Sequence, residues 1–507
     1  MVIKDSVQNG DQVKHEADLD EALDVAGVGW YNLKYSLVLA FLLIAAIVEL
    51  IGYSLILPAA ICDLDMSDSQ RGLVTSIPYV GILLTSYPWG YLVDTQGRKK
   101  MIVFSSLAAG IFGVVSGLMP GLVSFAVCKF LASLCLACPS AVPYTYIGEI
   151  LPAKYRDIIL SIINATQITG SAIVPLLAWA ILPLDFRIDI GLYIFRPWRL
   201  LTIVYAILFI VSAILMAFGP ESPKYLVSQE RYDEALKVLQ VMYAGNKGKS
   251  PGDYPIKKLI VPSNTREKGS FLTSLKVQTI PLLRWEYLKW MLLNGLLLFG
   301  VFAVINGLYM WVPDVLNRVL TGSGEGKTAC QVIFDRLNQT SSSPTTVCND
   351  SIEEITFVIN STAQVCCAMI AVVVSSTVKV VGKKNLLLMC FFLIGTFCVL
   401  INFITNNMLF AVLMSSFPLL VLAIGPLNSY ALEIFPTHLR GMAVSLSMML
   451  GRTGSIVGTN VAGLLINNAC QLMFYLFGGL LMVCGALSFL LPNSRVPRQQ
   501  AGKADGL

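Results

Sequence analysis

Charge is what this sequence has least of: Asp, Glu, Lys and Arg together make up 13% of its 507 residues, against about 25% in ordinary soluble domains. A water-soluble surface of this size is therefore excluded. Histidine is scarcer still, with only His15 and His438, which are far apart and make no metal-ligand spacing. No Ser, Cys or acidic residue stands in a nucleophile–base arrangement, so neither catalysis nor a cofactor is expected. The first 34 residues also lack the short apolar core and small-residue cleavage site of a secretory signal. They carry Asp5, Asp11, Glu16, Asp18, Asp20, Glu21 and Asp24 instead, and the first apolar run is expected to serve as an uncleaved signal.

What the sequence has in abundance is apolar length. Hydrophobic residues reach 55% and the mean hydropathy is +0.70. Twelve runs are long enough to cross a ~30 Å hydrocarbon layer, near 35–57, 72–93, 101–118, 122–147, 158–182, 200–218, 287–312, 355–378, 386–405, 408–432, 442–466 and 472–491. With the N-terminus in the cytosol, the cytosolic segments hold 26 of the 36 Lys and Arg, the opposite side 7 and the spans 3. That bias follows the positive-inside rule and places both termini in the cytosol. The net charge of +5 is thus a topological signature, and no nucleic-acid partner is needed to explain it. The expected organisation is a cytosolic tail (1–34), six spans (35–218), a cytosolic linker (219–286), six spans (287–492) and a short tail (493–507). A loop at 313–354 follows the seventh span on the non-cytosolic side.

Eight of the twelve cysteines fall inside spans, where a small apolar packing role is expected. Cys62, Cys330, Cys348 and Cys470 fall on the non-cytosolic side, where oxidation is permitted. Four cysteines allow three connectivities; sharing one loop favours Cys330 with Cys348. The sequons at Asn338 and Asn349 lie in that loop and are accessible to glycosylation, whereas the one at Asn164 lies within a span. In the same loop Thr321-Gly-Ser-Gly-Glu-Gly326-Lys327-Thr328 has the look of a phosphate loop. It begins with Thr where that motif needs Gly, follows no strand and faces away from cytosolic nucleotide.

The two halves repeat one another. Tyr146, Glu149, Pro152 and Arg156 close the fourth span, and Tyr430, Glu433, Pro436 and Arg440 close the tenth, at one offset of 284 residues. A second pair lies at nearly the same offset: Asp94-Thr-Gln-Gly97-Arg98-Lys99 after the second span and Lys379-Val-Val-Gly382-Lys383-Lys384 after the eighth. Two matches at corresponding spans point to duplication, and parallel six-helix repeats are a plan in which one half rocks against the other.

The segment Gly90 to Lys100, with its acid, turn glycine and three bases, resembles the loop signature of the major facilitator superfamily. A plain basic stop would need neither Asp94 nor the glycines. The resemblance implies an all-α membrane protein of twelve transmembrane helices in two six-helix bundles. It also implies a cytosolic latch built from Asp94, Arg98, Glu149, Arg156, Glu433 and Arg440, asymmetric because Lys379 replaces the acid in the second copy. Glu49 to Pro58, Ser67 to Gly72, Pro220 to Tyr225 and Gly307 to Asp314 are similar to the synaptic vesicle glycoprotein 2 family and its organic-ion and sugar porter relatives. The large luminal insertion of that family is absent, and Gln167 and Ile424 replace its aromatic ligand-pocket residues.

Ionisable groups inside spans are costly and point to a pathway. Glu49 lies about 15 residues into the first span and Lys129 about 8 into the fourth from the other side, which puts both at similar depth. They are expected to pair, either as a purely structural contact or as a coupling element in which Glu49 takes a proton when Lys129 is drawn away. Arg452, in the middle of the eleventh span, reads as a binding charge for an anionic or zwitterionic solute or as a packing-and-pairing residue. Tyr309, Trp311, Asn306, Asn428 and Asn460 are further substrate-contact candidates, with interhelical packing as the alternative.

The expected function is secondary transport of a small organic solute by alternating access, with protons as the candidate coupling ion and membrane lipid as the surround. A monomer is expected, in the plasma membrane or an intracellular vesicle. The alternative is a non-transporting vesicle or surface glycoprotein that retains the fold.

Overall fold

The structure, a computed structural model, describes residues 16–184, 186–260, 279–322, 326–342, 351–436 and 439–492. Twelve long helical segments run through it. The first six are Trp30–Ala60, Asp68–Gln96, Arg98–Gly117, Leu122–Glu149, Ala153–Gly170 continued by Ile173–Ile181, and Pro197–Ala217. The second six begin with Trp285–Phe302, which continues through an irregular stretch at 303–311 into Val312–Leu320. Glu354–Val381, Lys383–Leu400, a tenth segment in three pieces (Asn407–Ser415, Phe417–Ala423, Ile424–Ile434), Arg440–Leu465 and Cys470–Ser488 follow. Among the described residues ten helices are long and apolar enough to cross a membrane; the second and eleventh are long but not among them. Their composition has a reason. The two pack face to face between the halves, where Thr, Ser, Asn and Gly replace the Leu and Ile a lipid-facing helix needs.

Local chemistry sets the helix ends. Ser67 opens the second segment with a capping box, accepting from Gln70 N at 3.2 Å while its own N–H donates to Gln70 Oε1 at 2.9 Å. The tight turns into the third and ninth segments pass through Gly97 at φ +107° and Gly382 at φ +85°, conformations that L side chains rarely adopt. In the second half, Gly458 lies so close to the seventh segment that an added Cβ would sit 2.4 Å from the Ala303 carbonyl oxygen.

The N-terminal segment and the linker fold together. Glu16–Ala17 pairs in parallel with Lys258–Leu259, and the helix Leu19–Ala26 packs on the amphipathic helix Tyr232–Lys247. Asn246 joins them: its Nδ2 donates to Gly27 O at 2.8 Å and Asn32 Oδ1 at 2.6 Å, and its Oδ1 accepts from Tyr31 N at 3.1 Å. Asn32 Nδ2 in turn donates to Ile150 O at 2.7 Å, fastening this module to the end of the fourth span. The end of the molecule holding the module is the linker face, and the end holding the helix Ala329–Ser342 the loop face.

One expected pairing is corrected. Cys330 is bonded to Cys470, with 5.6 Å between their α-carbons, and not to Cys348. Most of the intervening chain is helix, Ala329–Ser342. A helix of that length sets its ends roughly 20 Å apart, so a shared loop does not bring its cysteines together. The helix start instead lies against the turn before the twelfth segment. Cys62 is also disulfide-bonded, and the eight cysteines within spans are free. Cys348, Asn349 and the side chain of Asn338 lie outside the described residues.

Candidate functional site

Glu49 and Lys129 meet. Lys129 Nζ donates to Glu49 Oε1 at 2.6 Å, in a setting where Lys129 is 1% and Glu49 6% exposed. The ammonium also lies 5.1 Å from the Tyr53 ring centroid. Gly52, one turn along from Glu49, leaves room for the Tyr205 ring, which a Cβ would meet at 2.6 Å. The pair is sealed by aromatic side chains within the first half, so each charge has the other as its main compensation.

At the linker face, Arg98 forks onto Glu149 with two hydrogen bonds of 3.1 Å and lies 3.1 Å from Asp94. Glu221 and Ser222, which sequence reasoning did not place here, complete the cluster. Glu221 Oε1 accepts from the backbone N–H groups of Arg98 and Lys99 at 2.9 and 3.0 Å, capping the third helix, and the Ser222 hydroxyl donates to Glu149 at 2.5 Å. In the second half Lys383 pairs with Glu433 and donates to Ser429 Oγ at 2.5 Å, the counterpart of Arg98 on Glu149. Arg156 and Arg440 touch neither glutamate. Arg156 donates to the Leu151 carbonyl at 3.4 Å and Arg440 to the Phe435 carbonyl at 3.0 Å, again matching positions in the repeat. Of the six latch candidates, Asp94, Arg98 and Glu149 cluster in the first half, Glu433 pairs with Lys383 in the second, and Arg156 and Arg440 stand outside both contacts. Among the described residues no ion pair crosses between the halves at this face.

At the loop face the halves are tied together. Arg71, 2% exposed, donates to Asp314 at 2.9 Å and stacks 4.2 Å from the Trp311 ring centroid. Arg318 lies 2.9 Å from Asp314 and 3.2 Å from Asp68, while Asn467 donates to Asp68 at 2.5 Å and accepts from Arg318 at 3.1 Å. Two acids and two bases thus close a neutral, largely buried network between the second span and the seventh and eleventh. Asp68, Arg71 and Asp314 stand in motifs visible in the sequence, but nothing in their spacing says that they meet. Deeper in, Ser171 Oγ donates to Gln364 Oε1 at 2.9 Å and Gln364 Nε2 to the Tyr309 hydroxyl at 2.5 Å, a second bridge between halves.

The substrate-contact candidates divide. Tyr309 and Trp311 are buried in these closures, and Trp311 Nε1 donates to Thr459 O at 3.3 Å. Asn460 satisfies its own helix at Ile456 O, 2.7 Å. Asn306 sits on the irregular stretch of the seventh span and donates to Ser455 Oγ at 3.2 Å. Arg452 is half-buried and donates to Ser86 Oγ of the other half at 2.6 Å; among the described residues it has no carboxylate partner. Asn428 Oδ1, both amide atoms of Asn294 and the Ser447 hydroxyl are buried without partners among the described residues. Asn294 and Ser447 carry no sequence signal that sets them apart from helix-packing residues. Buried polar atoms without partners among the described residues occur in both halves, Tyr79, Ser106 and Arg199 Nε among them in the first; what the second adds is a mid-span guanidinium that bridges to the other half with no carboxylate partner.

The family model of the Major Facilitator Superfamily matches residues 39–333 and 344–506. Synaptic vesicle glycoprotein 2C of Mus musculus is 25% identical over 343 residues, covering 62% of this chain and 46% of its own length. Synaptic vesicle glycoprotein 2B of Rattus norvegicus is 28% identical over 247 residues, covering 48% and 36%. The chain thus spans about half the length of the curated relatives it matches. Among solved structures, a D-xylose-proton symporter superposes with a TM-score of 0.66 at 15% identity, over 92% of this chain and 99% of that one. A nucleoside transporter superposes at 0.61 and 13% identity, over 91% and 100%. At these identities the likeness concerns the fold alone.

Proposed function

The chain belongs to the major facilitator superfamily, and on that premise we propose that it is a secondary transporter of a small organic anion or zwitterion working by alternating access. The observation that carries this reading is the asymmetry between faces. Charged groups join the halves at the loop face and stay within each half at the linker face, as expected of one end state of a rocking cycle. Opening the loop face requires breaking Arg71–Asp314 and Arg318–Asp68, and the linker-face clusters are then free to meet across the halves. The Lys and Arg distribution supports a cytosolic linker face, and on that orientation this is the cytosol-facing state.

Arg452 is the binding charge. A guanidinium at mid-span without a carboxylate is costly unless an anion completes it, and Ser86 ties that site to the other half. Binding there changes contacts on both halves at once, which is the differential interaction a solute needs to drive rocking. Glu49 and Lys129 are the coupling pair: when the first span shifts and Lys129 is drawn away, Glu49 takes a proton, and it gives the proton up when the pair re-forms. Its burial against Tyr53 and Tyr205 also suits the second reading, a glycoprotein that keeps the fold without transport, since a sealed pair can be purely structural.

Uptake into proteoliposomes of candidates chosen by a metabolite thermal-shift screen, with and without a pH gradient, tests both. Transport should be saturable, lost in Arg452→Ala, and insensitive to the pH gradient in Glu49→Gln. Unchanged pH dependence in Glu49→Gln removes the coupling role. Absence of any ligand or uptake across a broad panel favours the non-transporting reading.

A further inference from the structure

The turn between the eleventh and twelfth spans brings together the loop-face network and a disulfide. Asn467 holds both Asp68 and Arg318, and three residues later Cys470 is bonded to Cys330. Asn402 braces the same turn, donating to Gln471 O at 3.3 Å. The sulfurs are tucked in, with Cys330 7% and Cys470 8% exposed, yet both cysteines line a cavity of about 410 Å³ whose walls include Asn467, Gln331 and Phe334. The cavity is wide enough for a small thiol to approach the bond, and its wall is a member of the network.

We propose that the Cys330–Cys470 bond is a thiol-exchange site through which the compartment at the loop face sets the strength of the gate. The proposal rests on the loop-face network acting as the gate described above. A small thiolate attacks Cys470 Sγ, the S–S bond breaks, and Cys330 leaves as a thiolate that takes up a proton. A second thiol attacks the mixed disulfide and releases Cys470 as a thiol together with a small-molecule disulfide. Two thiols are oxidised and one protein disulfide is reduced, with no other reactant. Once the bond is open, residues 466–469 lose their tether to the helix Ala329–Ser342, and Asn467 no longer holds Asp68 and Arg318 in register. Arg71–Asp314 sits on other elements and persists, so the gate weakens without being lost.

Hydrogen exchange on the full chain in lipid nanodiscs, before and after reduction with glutathione, tests this. Exchange should rise several-fold across 68–76, 312–320 and 463–472, with the module helices Leu19–Ala26 and Tyr232–Lys247 unchanged. Asn467→Ala with the bond intact should produce the same rise, and reduction should then add nothing further at 68–76 and 312–320. Cys330→Ser/Cys470→Ser, purified as a monodisperse sample, should match the reduced protein. The proposal is overturned if verified reduction frees only 329–342 and 466–472, or if glutathione cannot reduce the bond in the folded protein. Arg318→Ala separates the two layers. If it speeds exchange at 68–76 while reduction does not, the redox role alone fails. If it leaves 68–76 unchanged, the gate reading fails.

Discussion

The two halves descend from one plan and spend their polar residues differently. In the first, Lys129 pairs with Glu49 and Arg98 with Glu149 and Asp94, Glu221 caps the third helix, the buried Arg199 is held by the Gly117 and Met119 carbonyls, and a folded module is clamped beneath. In the second, Arg452 lacks a carboxylate, Asn294, Asn428 and Ser447 hold unused hydrogen-bonding capacity, and the seventh and tenth spans leave regular α-geometry at 303–311 and 417–423. A paired charge rigidifies its surroundings, whereas an unpaired mid-span charge in the half with irregular helix is where a ligand can supply the missing partner. On this difference rests the proposal that coupling belongs to the first half and most substrate contact to the second.

The largest effect should come from cutting the matched pair. Lys129→Met leaves Glu49 buried and alone, and should lower stability by about 3–5 kcal/mol, read by thermal unfolding in detergent. Glu49→Gln/Lys129→Met should recover most of that loss, and a double variant as unstable as the single one would break the idea of a self-compensating pair. Next is Arg452→Ala, expected to reduce apparent solute affinity at least about tenfold, since a charge-assisted contact contributes about 1.5–3 kcal/mol. Its stability should hold or rise, because the charge it removes has no carboxylate partner among the described residues. A strongly destabilised Arg452→Ala would mean that the second half is as matched as the first. Smaller still, Glu221→Gln should cost about 1 kcal/mol by weakening the charged cap on the third helix. Glu433→Ala, which removes only an exposed pair with Lys383, should change stability by less than about 1 kcal/mol. Equal losses in these last two would erase the contrast between the halves at the linker face.

Much of this was legible in the sequence. Twelve apolar runs, the 284-residue repeat and the depth of Glu49 against Lys129 all rest on helical rise and transfer cost, which act locally. The repeat even carries into geometry, since Arg156 and Arg440 make the same backbone contact one half apart. What could not be read were pairings that depend on how the halves dock. Asp68, Arg71, Asp314 and Arg318 each cap or flank a span, and any of them could have faced water. The Cys330–Cys470 bond was hidden by the same gap, because sequence separation within a loop says little once part of that loop is a helix. Arg452 was visible as a mid-span charge, but its contact with Ser86 of the opposite half was not.

The central claim is that the halves are locked at one face only, and inter-half distances at both faces test it most directly. Spin labels at Ser69 and Asn468 report the loop face, and labels at Thr95 and Asn385 the linker face, in lipid nanodiscs. Arg318→Ala should lengthen the loop-face distance and shorten the linker-face distance together, while Glu433→Ala leaves the loop-face distance as it was. A loop face that stays closed in Arg318→Ala, or opens with no answering change at the linker face, would contradict the account.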